Sequence, residues 1–152
     1  MLAHVARDSA NVYFHVSTSA ALTPAVGQSW MLLLLDTHGG ATGWHGYNFL
    51  VNRRRNGTCC TIERNVGGAW NWKPVGEAAL VKQGSEMMLK VPRRALGLLP
   101  SRGPFTLDFK WADNLPERAA IMDFYSKGEV APSARFNYRF AEPAGQASRQ
   151  TH

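Results

Sequence analysis

Cysteine is scarce in this sequence. Only two of the 152 residues are cysteines, and they are neighbours, Cys59 and Cys60. Adjacent cysteines seldom bridge, because the small ring that they would close is strained away from normal disulfide geometry. The sequence therefore predicts neither a disulfide framework nor a cysteine-based zinc site. It gives no sign of the redox compartment in which the protein works.

Long apolar segments are also missing. The longest, Trp30–Leu35, has six residues, whereas a helix that crosses a bilayer needs roughly 20. His4, Arg7 and Asp8 interrupt the N-terminal region, which lacks the apolar stretch of a signal peptide. We therefore predict no membrane span, and the signal of a secreted protein would lie outside this sequence.

Dense charge of one sign is nearly absent. The sequence contains seventeen Lys and Arg residues and eleven Asp and Glu residues, for a formal net charge of +6. The one dense run of charge is Arg53-Arg54-Arg55. Asn56-Gly57 follows it, which is typical of a tight turn. We interpret the run as a solvated turn, and no other feature supports a nucleic-acid partner.

Alternating apolar and polar residues, by contrast, are abundant. Val12, Phe14 and Val16 show the period of a half-buried strand, and Asp8–Asn11 predicts a turn that joins it to a partner at Leu2–Arg7. Trp30–Asp36 is apolar on both faces, which favours the middle of a sheet. The clearest strand contains Phe105, Leu107, Phe109 and Trp111.

About ten such strands, separated by turns, indicate one all-β domain. We predict an antiparallel β-sandwich of jelly-roll or immunoglobulin-like architecture over residues 1–140, followed by a flexible tail over 141–152. Pro92 and Gly97 bracket one short helical turn. Near the C-terminus, Ile121–Tyr125 and Arg135–Phe140 are predicted as further strands.

Catalytic motifs are absent from the sequence. It has no Gly-x-Ser-x-Gly elbow, phosphate-binding glycine loop or His-Glu-x-x-His helix. We therefore favour binding over catalysis and predict no catalytic residue. Two alternatives stay open: a glycoside-active enzyme that uses two of the scattered carboxylates, and a structural or interaction module of a larger enzyme with no sugar ligand.

A metal site is predicted only as a structural feature. Asp36 ends a strand before a glycine-rich loop, and Asp113 ends another before Asn114. Loop carboxylates with nearby carbonyl groups suit calcium, which takes six to eight oxygen ligands. Asp36 and Asp113 are therefore candidate ligands of a structural calcium ion, and no other cofactor is predicted.

The tryptophans are the best clue to function. Trp30 and Trp111 share the parity of apolar strand residues, so we place them in the core. Trp44, Trp70 and Trp72 lie in a loop or at a strand end, where an aromatic ring can stack on a sugar. The remaining candidate ligand-binding residues, chosen as aromatic or polar neighbours, are Tyr47, Tyr125, Asn48, Asn71, Arg64 and Lys110.

The order of these segments resembles the β-sandwich domains grouped with family 9 carbohydrate-binding modules, in particular a bacterial branch at the C-termini of larger proteins. The resemblance spans roughly residues 2–140. It is carried by residues 30–37, 43–53, 68–73, 105–114, 121–125, 128–132 and 135–138.

This resemblance implies a module that holds an oligo- or polysaccharide, extracellular or at the cell surface, as part of a larger parent protein. Characterised members of the wider family clamp a terminal sugar between two tryptophans and hold structural calcium. Trp44, Trp70 and Trp72 are candidates from their local context and not from the family pattern.

This sequence departs from the branch in two respects. Members of the branch normally begin further upstream, which implies that this chain is N-terminally trimmed or a piece of a larger protein. Arg118-Ala119-Ala120 replaces the usual acidic residues before Ile121, and Glu129 replaces a usual Asp. Both replacements affect positions at which a calcium or polar-ligand role would be expected.

Overall fold

The computed structural model of the protein describes residues 1–126, 128–134 and 136–143. Within them the chain is nearly all-β, as predicted. The strands are β1 (Leu2–Arg7), β2 (Asn11–Ser17), β3 (Leu32–Asp36), β4 (Phe49–Asn56), β5 (Cys59–Asn65), β6 (Trp72–Gln83), β7 (Glu86–Pro92), β8 (Thr106–Asp113), β9 (Glu129–Ala131) and β10 (Tyr138–Ala141).

These strands form one antiparallel sheet in the order β1-β2-β7-β6-β5-β4-β3-β8-β10, and β9 pairs with the far end of β8. The hairpin of β1 and β2 confirms the predicted turn, since Asp8 Oδ1 accepts hydrogen bonds from the backbone N–H groups of Ala10 and Asn11 at 2.9 and 2.7 Å. Such an Asx turn reverses the chain locally.

The sheet curves until it nearly closes into a barrel-like shape. Its interior is filled by the buried inward residues of β2 to β8. The strands β1 and β10 contribute partly buried residues, and β9 contributes the buried Ala131. Arg7 at the end of β1 forms an ion pair with Glu142, just past β10, and Arg93 lies 3.4 Å from the same carboxylate. The two edges of the sheet are therefore bridged by charge at one end.

Strand β3 is buried on both faces, as the sequence predicts. Leu33 and Leu35 face the interior, whereas Leu32 and Leu34 face outward and are equally buried. The strand lies between β4 and β8. An outer layer must therefore cover this part of the sheet, because a solvated strand face would carry polar residues.

Helical structure is short. The predicted turn is α1 (Arg93–Leu96), with Pro92 before it and Gly97 in the left-handed conformation after it, and a 3-10 turn spans Pro100–Arg102. The predicted strand at 121–125 is wrong, because α2 (Asp123–Ser126) replaces it. Phe124 of this segment packs against the outer face of the sheet. The segment pairs with no strand among the described residues.

Two further predictions need correction. The triple-arginine run belongs to β4 and not to a solvated turn, since Arg53 bonds Glu63 and the Arg55 guanidinium lies 5.3 Å from the centre of the Trp30 ring. Ala141 and Glu142 are part of the folded domain, so the predicted tail begins too early. Residues 144–152 of that tail, and Arg135 of the predicted last strand, lie outside the described residues.

None of the helices in the described part of the chain is long and apolar enough to span a membrane.

Candidate functional site

Three loops fold over the outer face of β3, β4 and β8, and two of them carry Trp44 and Trp70. A second apolar cluster forms there, separate from the interior core; its aromatic members are Trp44, Tyr47, Trp70, Trp72 and Phe124. We call these five residues the aromatic cluster. Because the apolar outer residues of β3 need cover, the loops fold inward onto them.

The three tryptophans of the aromatic cluster are packed edge to face. Trp44 meets Trp70 with ring centroids 4.7 Å apart, and Trp70 meets Trp72 at 5.3 Å, with interplanar angles of 76° and 84°. Trp44 is 3% exposed, and Trp70 and Trp72 are each 8% exposed. Such pairs stabilise a core. The three indoles are therefore packed against one another and largely withdrawn from solvent.

A groove of about 320 Å³ opens beside Trp70 and Trp72. All seven of its lining residues end in a planar group: an indole, a guanidinium, a carboxylate or a carboxamide. They are Gln28, Arg53, Trp70, Asn71, Trp72, Glu117 and Arg118, and we call this site the planar groove. The volume suits one small ligand.

The wall of the planar groove is held by the loop between β5 and β6. Gly67 and Gly68 turn the chain with φ values of 79° and 85°. The Asn65 side chain donates from Nδ2 to the carbonyl groups of Ala69 and Asn71, at 2.7 and 3.2 Å. These bonds fix the backbone at Asn71, whose side chain lines the groove.

The two indole N–H groups of this wall differ in their partners. Trp70 Nε1 donates to the Glu117 carbonyl oxygen at 2.7 Å, which ties the opposite loop in place. Trp72 Nε1 is buried and has no hydrogen-bond partner among the described residues. An unsatisfied buried donor costs about 1–3 kcal/mol.

Arg53 is held in a fixed orientation at the side of the groove. Its Nε donates to Glu63 Oε2 at 2.7 Å, and its side chain is 14% exposed. Glu63 itself is fully buried, and its Oε1 has no partner in the described part of the chain. Since only Nε is used in this bond, the terminal nitrogens of Arg53 stay available to a ligand.

Glu117 and Arg118 add one exposed charge of each sign to the opposite wall. Neither side chain forms an ion pair with any residue that the structure describes. The planar groove therefore offers both hydrogen-bond donors and acceptors.

Of the nine predicted ligand-binding residues, the structure brings three into this groove: Trp70, Asn71 and Trp72. Trp44 lies in the aromatic cluster behind them. Arg64 is exposed on β5 opposite Lys73, and Tyr125 is exposed on α2.

The other three predicted residues serve the fold. The Tyr47 hydroxyl donates to Asn137 Oδ1 at 2.5 Å. Asn48 is buried, and its Oδ1 accepts from the Thr37 backbone N–H at 2.9 Å. Lys110 is fully buried and donates to the Pro132 carbonyl oxygen.

Lys110 is a buried base beneath the aromatic cluster. Its ammonium group lies 5.2 Å from the centre of the Phe124 ring. Burial lowers the pKa of Lys110 to about 8, because removal from water disfavours the charged form. No carboxylate pairs with it among the residues described here.

The two candidate calcium ligands lie at opposite ends of the β3–β8 pair. Asp36 pairs with Asp108, whereas Asp113 follows Ala112, the partner of Leu32. One ion therefore cannot bind both. Asp113 accepts from the Met31 N–H at 3.0 Å and, with Glu129, lines a cavity of about 170 Å³. The described residues contain no group of three or more His, Cys, Asp or Glu side chains placed to hold a metal.

Four residues of the planar groove were missed from the sequence: Gln28, Arg53, Glu117 and Arg118. They come from three segments that are far apart along the chain. Arg53 stands in the triple-arginine run and Arg118 in the segment before Ile121, but neither pattern predicted a ligand contact. The one available signal is the apolar outer face of β3, which requires covering loops.

Comparison with known proteins gives no match to a family model, to a curated protein or to a solved structure.

Proposed function

We propose that the protein is a non-catalytic carbohydrate-binding module and that the planar groove holds the sugar. In this proposal the domain is a β-sandwich-type module similar to family 9 carbohydrate-binding modules. It acts outside the cell or at its surface, as part of a larger parent protein, and its partner is an oligo- or polysaccharide.

The observation that carries the proposal is the lining of the groove. Seven planar side chains, five of them polar and two indoles, surround a space of about 320 Å³. A planar amide, carboxylate or guanidinium can bond two neighbouring hydroxyl groups at once. A sugar ring displays such pairs of hydroxyls, each able to donate and to accept.

Burial of the tryptophans changes how the sugar is expected to bind. Sequence alone predicts stacking on the faces of Trp44, Trp70 and Trp72, and those faces are packed in the aromatic cluster. We therefore propose recognition by polar edges, with Trp72 Nε1 as a donor. Binding of one sugar ring is expected to be weak, with Kd values of about micromolar to millimolar.

The test is a calorimetric titration of the protein with a panel of mono- and oligosaccharides, with and without calcium. Gln28→Ala is compared with Gln83→Ala, which changes the same residue type at the exposed end of β6, away from the groove. We expect one sugar class to bind saturably, and we expect Gln28→Ala to weaken it about fivefold while Gln83→Ala leaves it unchanged. A panel without any binding, or equal effects of the two variants, contradicts the proposal.

A further inference from the structure

We infer that the planar groove selects an uncharged sugar over an acidic one. This inference rests on the proposed function and names the class of ligand for the same site. It runs against the overall charge of +6, which by itself favours an acidic ligand.

The first pair of charges cancels inside the protein. The Arg53 guanidinium is bonded to Glu63 at 2.7 Å, and Glu63 is fully buried. The two groups form an ion pair, and Glu63 Oε1 has no hydrogen-bond partner among the described residues. A carboxylate ligand that approached Arg53 would therefore meet a guanidinium that is already neutralised.

The second pair cancels at the surface of the groove. Glu117 and Arg118 are adjacent in sequence, both are exposed, and both line the groove. A carboxylate ligand would be attracted by Arg118 and repelled by Glu117. A hydroxyl group can donate to Glu117 and accept from Arg118, so it uses both.

Trp72 adds a donor that carries no formal charge. Its buried Nε1–H needs one acceptor atom, which a hydroxyl or ring oxygen supplies. The positive charges of the groove are those of Arg53 and Arg118. Glu117 in the lining and the buried Glu63 behind Arg53 balance them.

The experiment compares matched sugars that differ only in charge, glucose with glucuronate and galactose with galacturonate, by calorimetry or ligand-observed NMR. We expect the neutral member of a pair to bind more tightly, with a Kd that changes less than about twofold between low and high salt. Glu117→Gln should shift the preference toward the uronate by about two- to fivefold. The control is Glu77→Gln, which makes the same change at an exposed residue of β6 outside the groove.

The outcomes separate the two claims. Tighter binding of the uronate, weakened by salt, overturns this inference and leaves carbohydrate binding in place. An unchanged neutral-to-uronate ratio in Glu117→Gln also overturns it. Failure of every neutral and acidic sugar to bind overturns the proposed function itself.

Discussion

Phe14 of β2 and Phe109 of β8 meet edge to face, with ring centroids 5.4 Å apart and an interplanar angle of 73°. Five strands separate β2 from β8 along the sheet. Two rings so distant in strand order can touch only if the sheet curves round to bring its ends together. The ion pairs of Glu142 with Arg7 and Arg93 likewise connect the two ends of the sheet.

The first prediction concerns those bridging ion pairs. Glu142→Gln should lower the free energy of unfolding by about 3 kcal/mol, because it leaves buried Arg93 and Arg7 without their carboxylate. Asp108→Asn is the matched control, since its partner Arg139 is 67% exposed, and it should cost less than about 1 kcal/mol. Urea unfolding of both variants measures the difference. Equal losses would show that Glu142 does not bridge the sheet edges.

The second prediction concerns the pH dependence that Lys110 imposes. Its pKa is about 8 in the folded protein and about 10.5 when unfolded. Between these values the unfolded chain binds more protons, so this group makes stability rise with pH, by at most about 1.4 kcal/mol per pH unit. Burial raises the pKa of Cys60 to about 12 and acts in the opposite direction above pH 9.

The comparison of wild type with Lys110→Met isolates the lysine, because Cys60 is common to both. The stability difference between them, measured by denaturant unfolding at pH 7 to 11, should change in favour of the wild type as pH rises from 8 to 10.5. A stability difference that does not change with pH would mean that the pKa of Lys110 is not lowered in the folded protein.

The third prediction concerns thiol reactivity. Cys59 is partly exposed, whereas Cys60 is buried and its raised pKa keeps it protonated. The thiolate is the reactive form. Alkylation of native protein near pH 8 should therefore modify Cys59 alone, as read by peptide mass spectrometry, and Cys60 should react only with denaturant present. Modification of Cys60 in Cys59→Ser under native conditions argues against the burial.

The fourth prediction concerns the loop that carries Trp44. Gly43 has a φ of 89°, and a Cβ atom there would run into the Tyr47 carbonyl oxygen. At Gly67, with a similar φ of 79°, a Cβ would meet nothing within 4 Å. Gly43→Ala should therefore be about 2 kcal/mol more destabilising than Gly67→Ala, because only the first adds a steric clash to the backbone strain. Similar melting temperatures for the two variants would contradict this loop conformation.

Much of the fold is readable from the sequence because strand patterns are local. The alternation at Val12–Val16, the two-sided apolar run at Trp30–Asp36 and the Pro92–Gly97 bracket each predict their element from adjacent residues, although the strand of the second begins only at Leu32. The strand predicted at 121–125 was wrong, because over five residues the apolar side of a short helix and the apolar face of a strand give similar sequence patterns.

The site was less accessible to sequence reasoning because its residues meet only in three dimensions. Trp70, Asn71 and Trp72 form one stretch, so the sequence could group them, and all three line the planar groove. Arg53 acquires its fixed orientation from Glu63 on the next strand, which no local pattern reveals. Trp44 was expected at the surface because its neighbours are glycines, yet the outward-facing Leu32 and Leu34 required a cover, and Trp44 is part of it.

The most direct test of the central claim follows the indole N–H signals of the five tryptophans by ¹H–¹⁵N NMR during a sugar titration. Trp72 and Trp111 both have buried indole N–H groups without a partner among the described residues, but only Trp72 lines the planar groove. We predict that the Trp72 signal shifts saturably, that the Trp111 signal does not move, and that Trp72→Phe weakens binding while Trp111→Phe does not. A saturable titration in which the Trp72 signal stays still would contradict the placement of the sugar in the planar groove.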